Sequence, residues 1–355
     1  MCPLYAALPP NIQHKAFTTT PPGFRKIILA TNIAETSVTV PGVRFVIDCG
    51  LQKRRKFNAQ LGIETLQIHP ISKSSAAQRA GRAGREAPGK CYRLYPQATY
   101  ATLSDNTTPE IRECDLTSMV LALKIQGHDD ILNFPFLDRP KRESVIRSLE
   151  LLYLLGALGK DGKPTKLGGQ MNVLPLTPEM GKVLLSSTTG ESPCVAEVID
   201  IIACMSASSA SSNAIFLTPD AGKREETAEN RKHFASAYGD HITLLQAFRE
   251  YLSILKGAVH GEGAKDWCRR WGINRRIMKQ VLVTLELQTS PNCQEIQKQL
   301  ISYCQRNNIS VVPAERPDKD AILKAFLSGY IMNTAVLQMD GSYRTCFSHH
   351  VCPYI

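Results

Sequence analysis

The sequence has 355 residues, of which 43% are hydrophobic and 21% are charged, a composition typical of globular proteins rather than disordered or fibrous chains. Its 42 Lys and Arg residues against 32 Asp and Glu residues give a formal net charge of +10, which favours a polyanionic partner, foremost a nucleic acid. No stretch reaches the roughly 18 apolar residues of a membrane helix, and the N-terminus does not resemble a signal peptide. We therefore expect an intracellular protein that does not contact a membrane.

The first part of the chain predicts a parallel α/β domain. Short apolar runs at 26–30, 44–48 and 91–95 are bounded by polar or turn residues, as buried parallel strands are. Between Lys53 and His69, a basic run, a turn and an alternating segment predict a projecting β-hairpin with one solvated face.

From about Asp115 the apolar pattern becomes helical. Two helices, closed by Gly127 and Gly156, precede a polar turn at 161–164, an order typical of a winged helix. Their apolar faces are marked by Leu116, Met119, Val120, Leu123, Val145, Leu149, Leu152 and Leu155.

A helical domain is predicted next, from about Glu179 to Tyr330. Asp240 is predicted to cap one of its helices, and the Ser/Ala-rich stretch 206–218 is predicted to be a loop. Short strands around Asp340 end the chain and suggest an incomplete β unit. The apolar helical stripes are Val195, Val198, Ile199, Ile202 and Ile242, Leu245, Phe248, Leu252.

Cysteine chemistry is not indicated. Eleven cysteines, an odd number, lie scattered among mostly apolar neighbours, which favours reduced core thiols. The run Cys346–Cys352, which includes His349 and His350, is too crowded for the usual zinc knuckles, so we predict no metal site there.

The run from Gln78 to Arg85 is the most informative in the chain. If a helix begins there, Gln78, Arg82 and Arg85 fall at i, i+4 and i+7 and share a face, while Arg79 points elsewhere. Intervening glycines leave room for a phosphate group, the natural ligand of paired guanidinium groups, which indicates arginine fingers. The alternative is a solvated basic helix start in which Ser75 and Gln78 form a capping box.

The second informative run is Thr31–Ser37, directly after the predicted strand at 26–30. Its hydroxyls, amide and carboxylate lie where a parallel sheet binds ligands, beyond the carboxyl end of a strand. The alternative is a strand-to-helix turn with capping residues.

Taken in order, these runs resemble motifs V and VI of the DEAH-box RNA helicases, with 31–40 and 47–50 matching the former and 78–85 the latter. The resemblance continues through essentially the whole chain in the family's order, at 3–9, 151–158, 174–178, 239–245, 267–268 and 326–329.

The resemblance implies a multidomain α/β plus α fold. It comprises a partial second RecA-like domain over 1–112, a winged helix over 113–178, a helical ratchet-like domain over 179–332 and the truncated beginning of an OB-fold over 333–355. The implied activity is that of the C-terminal part of an ATP-dependent helicase, which couples ATP hydrolysis to movement along and unwinding of RNA.

The resemblance also implies residue roles. Gln78, Arg82 and Arg85 would contact the γ-phosphate of ATP, the arginines stabilising transition-state charge. Ser37 would sense the nucleotide state, and Phe17 would stack on adenine, although Phe17 equally fits a core position.

RNA contacts are expected at three places. Thr31, with Asn32 beside it, would contact an RNA phosphate. The hairpin matches the family's strand-separating hairpin, and Lys53 and Arg54 on its basic edge would attract phosphates unless they are merely solvated. A second basic cluster, with aromatic residues interleaved, comprises Lys265, Arg269, Arg270, Arg275, Arg276 and Lys279, and Arg275 and Arg276 are the predicted RNA contacts.

The sequence contains neither Gly-x-x-x-x-Gly-Lys-Ser/Thr nor Asp-Glu-x-His. Residues 84–91 imitate the first motif but end in Cys and precede a strand. We therefore expect the Mg²⁺ that accompanies ATP to be held mainly by a first RecA-like domain, and the chain to be inactive alone.

Two other readings stay open: a catalytically inactive RNA-binding or scaffold protein, and a DNA rather than an RNA motor. Expected partners are single-stranded or structured RNA and, as for some relatives, an activator with a glycine-rich patch. The expected location is the nucleus or nucleolus.

Overall fold

The chain is described by a computed structural model, in which it forms two compact units. The first comprises Met1–Asp115 with Pro135–Glu143, and the second comprises Leu116–Phe134 with Ser144–Ile355. No helix in the described part is long and apolar enough to span a bilayer. The structure describes residues 1–6, 8, 10–190, 192–211, 215–217, 229, 232–255, 257, 263–286, 294–347 and 351–352.

The first unit is α/β, as predicted. Strand β1 pairs in parallel with β2, β3 pairs in parallel with β6, and β4 and β5 form an antiparallel hairpin. The strands are β1 (Cys2–Leu4), β2 (Ile28–Ala30), β3 (Phe45–Asp48), β4 (Leu51–Asn58), β5 (Ile63–Pro70) and β6 (Lys90–Arg93). The helices are α1 (Pro10–Phe17), α2 (Ile33–Thr36), α3 (Lys73–Gly81) and α4 (Gln97–Thr102), followed by a 3-10 turn at Glu110–Arg112.

The expectation that these parallel strands are fully buried was wrong. Leu29, Phe45 and Ile47 are 58%, 63% and 71% exposed. In β3 one face is accessible, and in β2 both Leu29 and the neighbouring Ala30 are exposed. Strand β1, three residues long, was not predicted because so short a run carries too little pattern.

The hairpin is confirmed and its turn has a clear local cause. The Asn58 carboxamide oxygen accepts hydrogen bonds from the backbone N–H groups of Gln60 and Leu61, and Gly62 adopts a φ of +69°. Glycine takes this left-handed conformation without the steric penalty that a Cβ brings.

The second unit begins with three helices: α5 (Thr117–Ile125), α6 (Arg142–Leu154) and α7 (Lys166–Val173). The helix ends predicted at Gly127 and Gly156 are confirmed, with φ values of +93° and +75°. A single antiparallel bridge joins Leu158 to Pro164 across the predicted polar turn.

Seven further helices follow, and their burial confirms the predicted stripe on α9. They are α8 (Pro178–Ser186), α9 (Val195–Ser211), α10 (Asp240–Leu255), α11 (Ala264–Arg270), α12 (Arg275–Glu286), α13 (Gln294–Arg306) and α14 (Lys319–Gly329), numbered within the described residues. A core built around Phe234, Phe248, Tyr251 and Trp267 packs several of them together.

Two local predictions here were wrong. Helix α9 runs on to Ser211, so 206–211 is helix rather than loop, because Ala207 is buried against the core and its small side chain fits there. Residues 212–214 and 218 lie outside the described residues. Asp240 is the first residue of α10 rather than its cap, since the Thr243 N–H donates to the Gly239 carbonyl.

The chain ends in a three-stranded antiparallel sheet around the predicted turn at Asp340. Its strands are β7 (Ala335–Leu337), β8 (Tyr343–Thr345) and β9 (Val351–Cys352). The first unit has a main segment ending at Asp115 and also includes Pro135–Glu143, which lies within the predicted winged helix. The boundaries predicted at 112, 178 and 332 stay predictions.

The cysteines whose side chains are described are free thiols, four of them buried: Cys194, Cys204, Cys268 and Cys304. Cys293, His349 and His350 lie outside the described residues.

Candidate functional site

The segment Thr31–Ser37 lies at the carboxyl end of β2, where the sequence placed it. The Thr31 N–H donates to the Leu4 carbonyl of β1 at 3.2 Å, which fixes the start of the segment. The side chains of Thr31, Asn32 and Ser37 are all exposed, while Glu35 turns inward. The segment therefore presents hydroxyl and amide groups to solvent at the edge of the first unit.

Helix α3 ends, rather than begins, in the arginine-rich run, which corrects the predicted geometry. Ser72 is its N-cap, and the Ser72 hydroxyl accepts from the Ser75 N–H at 3.1 Å. Ser75 is thus inside the helix, and the capping box of the alternative interpretation does not form. Arg82 is the C-cap, so Gln78 and Arg82 share the last helical turn while Arg85 lies beyond it.

Arg82 is the unusual side chain of this region. Its Nε and Nη1 atoms are buried and have no hydrogen-bond partner among the described residues. An added Cβ at Gly81 or Gly84, on either side of Arg82, would meet no described atom within 4 Å. Because buried guanidinium nitrogens without partners cost free energy, this half-buried arginine fits an incoming anion.

Gln78 and Arg85 flank Arg82 in different surroundings. Gln78 is exposed on α3. Arg85 is also exposed, and its Nη1 donates to the Thr39 hydroxyl, just after the Thr31–Ser37 segment. The adjacent Glu86 carboxylate accepts from the Gly42 N–H at 2.9 Å. These contacts hold the two predicted motifs side by side.

Arg79 makes two ion pairs with shielded carboxylates in the first unit. Its Nε donates to the Glu35 carboxylate and its Nη1 to the Asp48 carboxylate, each at 2.9 Å. The Glu35 and Asp48 side chains are 10% and 0% exposed. Burial lowers the pKa of Arg79, but the hydrogen bonds to Glu35 and Asp48 outweigh it and hold the pKa above its ordinary value.

Asp48 is the centre of this arrangement. Besides Arg79, it accepts from the Gly50 N–H at 3.0 Å and the Tyr95 hydroxyl at 3.1 Å. Burial, together with the Asp48 carboxylate, raises the pKa of Tyr95 to about 12. The buried carboxylate is therefore neutralised by one guanidinium and two further donors.

Sequence reasoning missed this network, since it predicted only that Arg79 points away from the face shared by Gln78, Arg82 and Arg85. A signal was present: Asp48 directly ends an apolar strand, and a buried carboxylate there requires a cationic partner.

Phe17 is half-buried at the last position of α1, an exposure that fits a ring with one face accessible as well as a core residue. Its predicted adenine contact stays a prediction.

The two faces of the hairpin differ. On one face the exposed Lys53 and Arg55 stand opposite Ile68 and Leu66, which are 64% and 62% exposed. Arg54 points to the other face. There its Nη2 lies 2.5 Å from the Glu113 carboxylate and donates to the Thr108 carbonyl at 3.1 Å.

The basic cluster of the second unit is exposed throughout, at Lys265, Arg269, Arg270, Arg275, Arg276 and Lys279. Arg275 and Arg276 form the first turn of α12, whose start is capped by the Asn274 carboxamide accepting from the Arg276 N–H at 3.2 Å. Trp267 is a core residue, 1% exposed, and Trp271 stacks on His233 at 4.4 Å, so the interleaved aromatics support the fold.

Two family descriptions match this chain. The helicase conserved C-terminal domain matches residues 1–87, which include both Thr31–Ser37 and Arg82. The helicase-associated domain (HA2), described as ratchet-like, matches residues 177–244. By sequence, the chain is similar to the C-terminal region of helicases.

DEAH-box relatives align along almost the whole chain. It is 38% identical over 356 aligned residues to the pre-mRNA-splicing factor ATP-dependent RNA helicase DEAH10 of Arabidopsis thaliana, covering 98% of this chain and 47% of the relative. It is 40% identical to the probable ATP-dependent RNA helicase DHR2 of Saccharomyces cerevisiae, covering 97% and 46%. It is 36% identical to ATP-dependent RNA helicase DHX33 of Mus musculus, covering 98% of this chain and 46% of the relative. The chain thus spans about half the length of these relatives.

The fold of the chain is also that of a solved helicase structure. The DExH-box NTPase HrpB of Escherichia coli superposes with a TM-score of 0.66 at 24% identity, covering 97% of this chain and 33% of HrpB.

Proposed function

We propose that the chain acts as the C-terminal half of an ATP-dependent RNA helicase, supplying arginine fingers and part of the RNA-binding surface. The observation that carries the proposal is the half-buried guanidinium of Arg82, whose buried Nε and Nη1 have no partner among the described residues. It lies within the region that matches the helicase C-terminal domain.

ATP fits this site on physical grounds. A guanidinium with two unpartnered nitrogens beside two open glycines suits a phosphate oxygen, and Gln78 and Arg85 provide further donors nearby in the chain. Arg82 and Arg85 would stabilise negative charge on the γ-phosphate, and Ser37 would report on the nucleotide state. ATP supplies the phosphoryl group whose hydrolysis drives movement.

RNA contacts are proposed on exposed basic side chains of both units. Lys53 and Arg55 occupy the open face of the hairpin, and Thr31 and Asn32 present polar groups at the edge of the sheet. Arg275 and Arg276 begin a helix, where positive side chains are unfavourable for the helix dipole but favourable for an arriving phosphate. Such backbone contacts carry no base-sequence readout.

The absence of Gly-x-x-x-x-Gly-Lys-Ser/Thr from the sequence supports a division of labour. Residues 84–91 do not substitute for that motif, because they lead into strand β6 rather than a helix. We propose that the phosphate loop and the Mg²⁺ ligands belong to a separate domain and that this chain alone does not hydrolyse ATP. Nuclear location is proposed because one relative is named a splicing factor. A glycine-patch activator stays a prediction.

The same missing motif favours a second candidate, an RNA-binding protein without hydrolysis. This candidate has the same RNA-binding surface, but in it Arg82 binds no ATP phosphate. A DNA motor is a third reading, and competition between RNA and DNA strands of matched sequence tests it.

RNA binding by the full chain tests the proposed surface. The Kd for a fluorescein-labelled oligouridine should rise steeply with salt concentration. Lys53→Ala should lower the slope of log Kd against log salt concentration by about one, the release of one counterion. Arg54→Ala is the matched control, because Arg54 is engaged by Glu113. It should lower thermal stability and leave the salt dependence unchanged. Equal effects of both variants on the salt dependence would contradict the assignment of the two faces.

A further inference from the structure

The arginine-finger helix and the Thr31–Ser37 segment are joined through one side chain. Arg79 donates to Glu35, which lies between Thr31 and Ser37 on α2, and to Asp48 at the end of β3. It also donates to the Leu51 carbonyl at the start of the hairpin, at 3.2 Å. One guanidinium therefore reaches three separate chain segments.

Arg79 is also linked to Arg82, through a backbone hydrogen bond. The Arg82 N–H donates to the Arg79 carbonyl at 3.1 Å, at the point where α3 ends. A shift of Arg82 therefore displaces the residue whose side chain holds Glu35. Glu35 lies four residues after Thr31 in the same turn of chain. The Glu35 N–H donates to the carbonyl of Asn32, the neighbour of Thr31, at 2.9 Å.

We propose that Arg79 is a positioning residue that couples the phosphate-contacting Arg82 to the RNA-contacting Thr31 segment. This inference rests on the proposed function, because it assigns those two contacts. Arg79 itself touches neither ligand. Its side chain is 14% exposed, and its Nε and Nη1 donate to protein groups. The planar fork of arginine suits this task, because it holds two carboxylates in fixed directions that a lysine ammonium does not fix.

A double-mutant cycle on the full chain tests the coupling. Arg79→Met, Thr31→Val and the double variant are compared by the Kd for a fluorescein-labelled oligouridine, below the unfolding temperature of each. Each single variant should weaken binding about three- to tenfold. The double variant should bind no more weakly than Arg79→Met, because a displaced segment no longer brings Thr31 to the RNA. If the double variant weakens binding by the product of the two single-variant fold-changes, the proposal is wrong.

Two controls separate positioning from general damage. Arg276→Ala lies in the other unit, so its effect should multiply with that of Arg79→Met. Arg112→Met removes a solvent-exposed arginine of the first unit, 3.9 Å from Asp138, and should leave RNA affinity unchanged. If Arg79→Met does not fold, Glu35→Ala takes its place in the cycle, since it cuts the link to the segment and leaves Arg79 paired with Asp48.

The outcomes also distinguish this inference from the proposed function. If Thr31→Val and Arg276→Ala both leave RNA affinity unchanged in folded protein, the proposed RNA surface is wrong and the coupling fails with it. If both weaken binding but Arg79→Met and Glu35→Ala do not, the RNA surface stands and Arg79 is only structural.

Discussion

Two arginines three positions apart have opposite environments. Arg79 makes two ion pairs of 2.9 Å with buried carboxylates, whereas Arg82 has two buried nitrogen atoms without partners among the described residues. We therefore expect Arg79 to contribute to stability and Arg82 to contribute to ligand binding. Arg79 stabilises the unit itself, and in the proposed function Arg82 is held ready for an anion at a cost in stability.

This contrast predicts opposite effects on unfolding. Arg79→Met should lower the free energy of unfolding by about 3 kcal/mol, because it leaves the buried Asp48 without its cation. Arg82→Met should leave it within about 1 kcal/mol of the parent chain or raise it, since no ion pair is lost. Urea unfolding of both variants is the measurement. An equally large loss for Arg82→Met would show that Arg82 is a structural residue.

At the residue scale, the site predicted at the arginine-rich run stays a prediction, and its predicted geometry was wrong. The spacing of Gln78, Arg82 and Arg85 suggested a shared helical face, yet α3 ends at Gly81. The start of the helix is set by Ser72, whose capping role depends on a loop conformation that spacing does not encode. The partners of Arg79 lie 31 and 44 residues away, so no local pattern reveals them.

At the scale of elements, helices α8 and α14 approach closely at one glycine. A Cβ at Gly329 would lie 2.3 Å from the Glu179 carbonyl oxygen and 2.5 Å from Val183 Cγ2. The Ser328 hydroxyl donates to the Ser186 hydroxyl at 2.8 Å beside it. The glycine is thus required by packing rather than by a turn.

Gly329→Ala should therefore destabilise the second unit by about 2 kcal/mol through overpacking. The matched control is Gly169→Ala in α7, where an added Cβ meets no described atom within 4 Å. That variant should raise stability by about 0.5–1 kcal/mol, because alanine is the better helix former. Thermal unfolding compares the two, and a neutral Gly329→Ala would show that the helices are more loosely packed.

Helix α9 carries a carboxyl group that makes stability depend on pH. Burial raises the pKa of Asp200 to about 7, an effect that Arg249 opposes and Glu197 reinforces. In the unfolded chain the same group ionises near 3.8. The folded state therefore retains a proton that the unfolded state loses, and this contribution to stability falls as pH rises from about 4 to about 7.

Asp200→Asn tests this directly. The variant should gain up to about 4 kcal/mol over the parent chain at about pH 8 and nothing at about pH 4. Urea unfolding at the two pH values measures the difference. A gain of the same size at both would mean that the pKa of Asp200 is not raised by folding.

Elements with strong periodic patterns were predicted correctly, and those set by tertiary contacts were not. The stripe of Val195, Val198, Ile199 and Ile202 predicted the core of α9. Its extension to Ser211 was missed because serine and alanine lack a hydrophobic pattern. Only the packing of Ala207 against the aromatic core shows that the helix continues.

At the scale of the whole molecule, the collinear order of motifs was the most informative signal. It predicted a RecA-like region followed by ratchet-like helices, and the matches at 1–87 and 177–244 confirm both. Partial burial of the strands was not predictable, because burial depends on which elements cover the sheet. The exposed Phe45 and Ile47 show a sheet with one accessible apolar face.

The central claim is that this chain carries arginine fingers and an RNA surface but not the phosphate loop. The most direct test is ATP hydrolysis by the purified chain, with and without single-stranded RNA, alongside RNA binding. We predict no hydrolysis above background together with salt-sensitive RNA binding. Hydrolysis by the chain alone that is abolished in Arg82→Ala would contradict the account, because a complete nucleotide site would then lie within these 355 residues.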